Sequence, residues 1–271
     1  MDIATGVGFT CALLDTGAVK CWGNNDNGQL GIGNTTQMGD HTGEMGDNLS
    51  TVDLGTGRTA VAVAAGYHHA CAILDNGSVK CWGLNSHGQL GHSSTDRAGN
   101  DSSNMGEALP FTPLAQGRTA VHIDAGFAHT CVVFDNGSVK CWGSNDAALL
   151  PAVNLGTGTI ATAVTAGTYH TCALLDTGGV KCWAPSRTGS KNGQLGYGCR
   201  LGCYYDTYCG IVPNSTSDSQ MGDNLPTVAL GTGMSAIAVS AGEQHTCALL
   251  AIGQIKCWGL ADYSASNGFS W

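Results

Sequence analysis

The chain has 271 residues with 41 Gly, 13 Cys and 11% charged residues, against roughly 25% charged and about 7% Gly in an ordinary soluble domain. A hydrophobic share of 42% argues against disorder, Gly follows no collagen period, and no run approaches the ~20 apolar residues of a transmembrane helix. A net charge of −9 with His neutral, and no Lys/Arg cluster, make nucleic acid and anionic membranes poor partners.

Met1-Asp2-Ile3-Ala4-Thr5-Gly6 lacks the basic and apolar regions of a signal peptide. The first full element is Cys11-Ala-Leu-Leu-Asp-Thr-Gly-Ala-Val-Lys-Cys21-Trp22-Gly23, and it returns four times, so that anchors fall at 11–23, 71–83, 131–143, 172–184 and 247–259. Their first cysteines are spaced 60, 60, 41 and 75 residues apart. Ala64-Ala65-Gly66, Asp124-Ala125-Gly126, Thr165-Ala166-Gly167 and Ser240-Ala241-Gly242 precede the later anchors. Val52–Gly57, Val153–Gly158 and Val228–Gly233, all ending Leu-Gly-Thr-Gly, lie further upstream.

Each unit reads as β. The runs are short and β-branched or apolar, and Asp-Thr-Gly or Asp-Asn-Gly between them are hairpin turns. Four short strands in a unit of about 40–60 residues is the spacing of a propeller blade. The expected fold is therefore an all-β propeller of four-stranded blades, read as a single domain over 1–271. Gly-rich stretches at 31–48, 91–108 and 196–224 are loop insertions at one point of the unit and should crowd one face or rim.

Two runs carry a resemblance: Ala241-Gly242-Glu-Gln-His245-Thr246-Cys-Ala248-Leu249 with Cys257-Trp258-Gly259, and Cys81-Trp82-Gly83-Leu-Asn85-Ser-His-Gly88-Gln89-Leu90-Gly91. Both resemble the regulator of chromosome condensation repeat, in a secreted, cysteine-rich form. The resemblance implies a propeller, usually seven-bladed, so five anchors imply either closure with five blades or a piece of a larger ring. The tail supports continuation, because Asn267-Gly268-Phe-Ser-Trp271 sits where repeat 4 has Asn192-Gly193-Gln-Leu-Gly196. The family does not fix the job. Its nucleotide-exchange branch works partly through basic surfaces, which this acidic chain lacks. Its plant ultraviolet-receptor branch uses Trp at positions occupied here by Val7, Tyr67, Phe127, Thr168 and Glu243, which argues against photoreception. Its β-lactamase-inhibitor branch binds a partner through one face.

The cysteines suggest a compartment. With Asp15-Thr16-Gly17 as the loop, residues 14 and 18, 13 and 19, 12 and 20, and 11 and 21 face each other. The same register opposes Cys71 to Cys81, Cys131 to Cys141, Cys172 to Cys182 and Cys247 to Cys257. Opposed Cβ atoms lie close enough for a disulfide after modest adjustment, and five such pairs point to an oxidising environment. Buried reduced thiols are the alternative. Cys199, Cys203 and Cys209 form an odd set: two staple their loop and one is free or bonded to another chain, or all three serve a metal. Tyr204, Tyr205 and Tyr208 beside them are a candidate interface. Asn34, Asn48, Asn100 and Asn214 are glycosylation candidates, whereas Asn76 and Asn136 serve tight turns.

His69, His129, His170 and His245 obey the repeat, with Phe9 in the first copy, and read as structural rather than as a metal ring. Lys20, Lys80, Lys140, Lys181 and Lys256 read as solvent-facing or edge positions. Asp40, Glu44, Asp47 and Asn48 offer oxygens to Ca²⁺, against turn-forming Gly-Asp with Met tucked onto the blade. No nucleophile, phosphate-loop or dinucleotide motif is present. The expectation is a non-enzymatic extracellular or cell-surface module that needs no cofactor. It would bind a protein or glycan through its loops, as part of a larger assembly if cross-linked. An intracellular exchange-type regulator and a calcium- or carbohydrate-binding propeller are the rivals.

Overall fold

The computed structural model describes residues 1–114, 117–143, 152–184, 193–197 and 220–260. These form five three-stranded antiparallel sheets. Blade one holds β1 (Asp2–Thr5), β2 (Phe9–Leu13) and β3 (Val19–Gly23). Blade two holds β4 (Ala60–Ala65), β5 (His69–Leu74) and β6 (Val79–Gly83), and blade three β7 (Ala120–Ala125), β8 (His129–Phe134) and β9 (Val139–Gly143). Blade four holds β10 (Ala161–Ala166), β11 (Thr171–Leu175) and β12 (Val180–Trp183), and blade five β13 (Ala236–Ala241), β14 (His245–Leu250) and β15 (Ile255–Gly259).

The hairpin register is the one the sequence dictates. Cys11 faces Cys21, Ala12 faces Lys20 and Leu13 faces Val19. The Asp-x-Gly turns need a left-handed third residue, which Gly77 (φ 75°) and Gly137 (φ 76°) supply. The middle strands β5, β8 and β11 are buried along their whole length, so their alternate side chains pack against the blades on both sides.

The expected fourth strand is reduced to one contact. Val52, Thr112, Val153 and Val228 each donate one backbone N–H to Val19, Val79, Val139 and Val180, at 2.7 to 2.9 Å. Gly55, Gly156 and Gly231 then turn the chain away at φ of 100 to 110°. A single bond and a left-handed turn leave no ladder to extend.

The inner strands β1, β4, β7, β10 and β13 touch in series and line the axis. The series is open. Ile3 on β1 is 63% exposed where Val63, Ile123 and Val164 are buried, and Ile255 on β15 is 69% exposed where Val79, Val139 and Val180 are buried.

Candidate functional site

Blades are joined by a repeating polar seam. His69 Nε2 lies 2.9 Å from Thr130 Oγ1 in the next blade, His129 Nε2 lies 2.9 Å from Thr171 Oγ1, and His170 Nε2 lies 2.8 Å from Thr246 Oγ1. Thr130 donates its hydroxyl proton to Gln89 O and Thr246 donates to Gln194 O. Their oxygens therefore accept from His69 and His170, which assigns the proton of each ring to Nε2. The Nδ1 atoms of His69, His129 and His170 are buried without a partner. Protonation would bury a charge and an unpaired donor, and burial pushes these rings down to about 3, 4 and 4 respectively. The ring also explains its glycine: a Cβ on Gly66 would collide with the His69 ring and with Gly126 O of the next blade. His245 is exposed, and no hydrogen bond to its side chain is found among the described residues.

Trp82 and Trp142 donate Nε1–H to Gln29 O and Gln89 O of the preceding repeat, at 3.0 and 2.9 Å. The lysines depart from expectation. Lys80 is buried and donates to Leu54 O and Gly106 O at 3.0 and 2.8 Å, and Lys181 repeats this with Leu155 O and Gly222 O. Only Lys256, on the uncovered last blade, is exposed. The solvent-facing reading fails at Lys80 and Lys181 because two carbonyls from loops that strand periodicity cannot see hold each ammonium.

The Met-Gly-Asp/Glu loops latch onto the preceding repeat. Glu107 Oε1 accepts from Thr56 N, and Asp223 Oδ1 accepts from Thr157 N, both at 2.7 Å. Met105 and Met221 are buried beside them, whereas Met45 is 43% exposed. Asp47 holds the equivalent place in the first repeat and is exposed. Of the calcium candidates, Asp40 and Glu44 meet at His41: Asp40 lies 3.0 Å and Glu44 3.6 Å from its Nδ1. Asp47 is not part of that cluster. Asn48 donates to Gly43 O.

The five predicted cysteine pairs lie at disulfide-bonding distance, with Cα–Cα separations of 4.0 to 4.1 Å. Asn34 and Asn48 are exposed and Asn100 is half-buried; Asn76 and Asn136 accept from Ser78 N and Ser138 N inside their turns. Cys199, Cys203, Cys209, Tyr204, Tyr205, Tyr208 and Asn214 lie outside the described residues.

One cavity of about 600 Å³ opens at the axial end of the blades, lined by residues including Val7, Tyr67, Phe127, Thr168, Tyr169 and Glu243. The Tyr67 and Phe127 rings are 4.4 Å apart and Phe127 and Tyr169 are 6.0 Å apart, forming an aromatic arc over three blades. Beneath it β7 breaks the repeat. His122 and Asp124 stand where β4 has Ala62 and Ala64 and β10 has Ala163 and Thr165. Asp124 Oδ2 accepts from Ala166 N of blade four at 2.8 Å, and burial raises its carboxyl to about 6. The sequence signal for this cavity is the slot occupied by Val7, Tyr67, Phe127, Thr168 and Glu243, whose residue types argue against photoreception but do not by themselves show that the five positions converge. The first two loop insertions start at the same end: Met38 bridges Gly23 and Ala98 bridges Gly83.

The Regulator of chromosome condensation (RCC1) repeat matches residues 2–29, 60–89, 120–147, 161–183 and 236–264, and a second description of the same repeat matches 76–133. The chain belongs to the RCC1 repeat family. It is 31% identical over 149 residues to the E3 ubiquitin-protein ligase HERC2 of Homo sapiens, a match that takes in 54% of this chain and 3% of that protein. In fold it is similar to human WBSCR16 (TM-score 0.68, 16% identity, 96% of this chain and 61% of that one). It is equally similar to yeast RCC1 (Prp20), solved bound to Kap60 (TM-score 0.68, 18% identity, 97% and 56%). This RCC1-repeat chain thus spans little of its curated relative and under two thirds of either solved propeller. No helix among the described residues is long and apolar enough to cross a membrane.

Proposed function

We propose that this propeller is a non-enzymatic interaction module of an oxidising compartment, presenting a protein or glycan partner with the loop-bearing end of its blades. The observation that carries the compartment is the cysteine geometry. Each blade places one pair at bonding distance across its own hairpin, and a cytosol keeps such thiols reduced. The interaction reading draws on the rigid blades beneath variable loops, and on a propeller of this fold having been solved with a bound protein. His69, His129 and His170 are tied to Thr hydroxyls of the next blade, and Lys80 and Lys181 to loop carbonyls, so these groups serve the fold.

The test is intact mass of protein from its native source, alkylated with and without reduction and then deglycosylated. Ten repeat cysteines that resist alkylation until reduced, together with glycan mass, support the reading. Free thiols throughout and no glycan would sink it and favour an intracellular exchange-type regulator, the second reading, which the likeness to yeast RCC1 keeps open.

A further inference from the structure

We infer that the axial cavity, rather than the long loops, is the docking site, and that its occupant is a basic peptide segment of a protein partner, an Arg or Lys side chain lying on the Tyr67–Phe127–Tyr169 arc toward Glu243. The inference deepens the interaction-module reading and rests on it.

Shape and surface come first. An opening of about 600 Å³ falls in the range that encloses small ligands or a few side chains. Tyr67 and Tyr169 are 37% and 42% exposed and Val7 is 47% exposed, and all three line the one opening. Contiguous exposed aromatics on a rigid frame mark a contact surface, and Tyr is enriched where partners bind.

Charge then selects the occupant. No Lys or Arg lines the cavity among the described residues, and none lies on the five inner strands, which carry Asp2 and Asp124 instead. Glu243 stands at the rim, exposed. Four described cations are held away from it: Lys80 and Lys181 by loop carbonyls, and Arg58 and Arg118 by Asp75 and Asp135 at the hairpin turns. Aromatic faces attract cations, a carboxylate at their edge completes the recognition, and a net charge of −9 steers basic partners inward. A sugar would also stack on the rings, but it has no use for this segregation of charge.

The test is calorimetric titration of the intact chain with a short oligoarginine peptide at low and high salt, alongside a neutral Gly-Ser peptide and a chitooligosaccharide. Tyr67→Ala, Tyr67→Phe, Glu243→Gln and the remote control Asp176→Asn are compared, each with an unchanged melting temperature as the folding check. The expected result is saturable peptide binding that weakens with salt, falls about fivefold to tenfold in Tyr67→Ala and Glu243→Gln, and survives in Tyr67→Phe and Asp176→Asn. Equal loss in Asp176→Asn with none in Tyr67→Ala would reveal diffuse charge attraction and overturn the proposal. Binding of the sugar but not the peptide, or of neither, overturns it as well. None of these outcomes depends on the cysteine state, so failure here is distinct from failure of the compartment reading.

Discussion

Three neutral histidines and one carboxyl give this protein opposing pH dependences. His69, His129 and His170 have folded values of about 3, 4 and 4, below the ordinary 6.5. Their contribution is complete above pH 6.5 and is lost as pH falls through those folded values. At about 1.4 kcal/mol per pKa unit, each is worth on the order of 3–5 kcal/mol. Acid unfolding followed by Trp fluorescence should therefore begin below pH 6.5, and His129→Gln, whose amide can donate to or accept from Thr171, should lower the midpoint pH. Asp124 has the reverse sign. Its folded value of about 6 lies above 3.8, so its contribution is full below pH 3.8 and is lost as pH rises through about 6. Asp124→Asn is expected to raise the melting temperature at pH 7.5 and leave it unchanged or lower at pH 4. Lys80 makes a third case. Burial lowers its ammonium pKa, yet two carbonyls hold it, and Lys80→Met leaves both buried and unpaired. Urea unfolding should show a loss of about 2–4 kcal/mol, against under about 1 kcal/mol for Lys256→Met on the uncovered blade.

At the level of the element, the hairpin was the most legible part of the sequence. Period-two patterning, an Asp-x-Gly turn and symmetric residue sums set the register that opposes Cys71 to Cys81. That pairing closes a segment of 10 residues, and removing it by the double change Cys71→Ser and Cys81→Ser should cost about 3 kcal/mol in denaturant titrations under oxidising conditions. The fourth strand was misjudged because Val-x-Leu-Gly-Thr-Gly has strand composition over too few residues, and the left-handed glycine ends the pairing after one bond. The lysines were misjudged for another reason. Lys80 alternates correctly within β6, but its partners, Leu54 and Gly106, are brought up by other segments of chain. The acid latches share that cause: Glu107 and Asp223 read as loop carboxylates until Thr56 and Thr157 are seen across the seam. The axial site was half legible, since the sequence located its slot but not the convergence of that slot on one cavity.

Across the whole molecule, the seam repeats between consecutive blades and is interrupted at the two outer faces. Thr10 and Trp22 of blade one are half-buried, where Thr130, Trp82 and Trp142 are fully buried. His245 and Ser240 of blade five are exposed, where His129 is sealed and Thr165 accepts from Ala241 N. In an array stabilised by nearest neighbours, a blade with one neighbour is less stable than a blade with two. Amide hydrogen exchange should therefore be faster in β13–β15 and β1 than in β5 and β8. Equal protection in all five blades would mean that the outer faces are covered in solution.

Every described disulfide closes within one hairpin, and none joins two blades. Under tension the seams of His–Thr and Trp–Gln contacts would part first, releasing blades one at a time, while the stretch between each cysteine pair stays locked. A locked span of 10 residues with its ends 4.1 Å apart withholds about 30 Å of contour per blade. Reduction would restore that length without altering the order of release, so the redox state of the surroundings sets how far the chain can be drawn out, not where it yields.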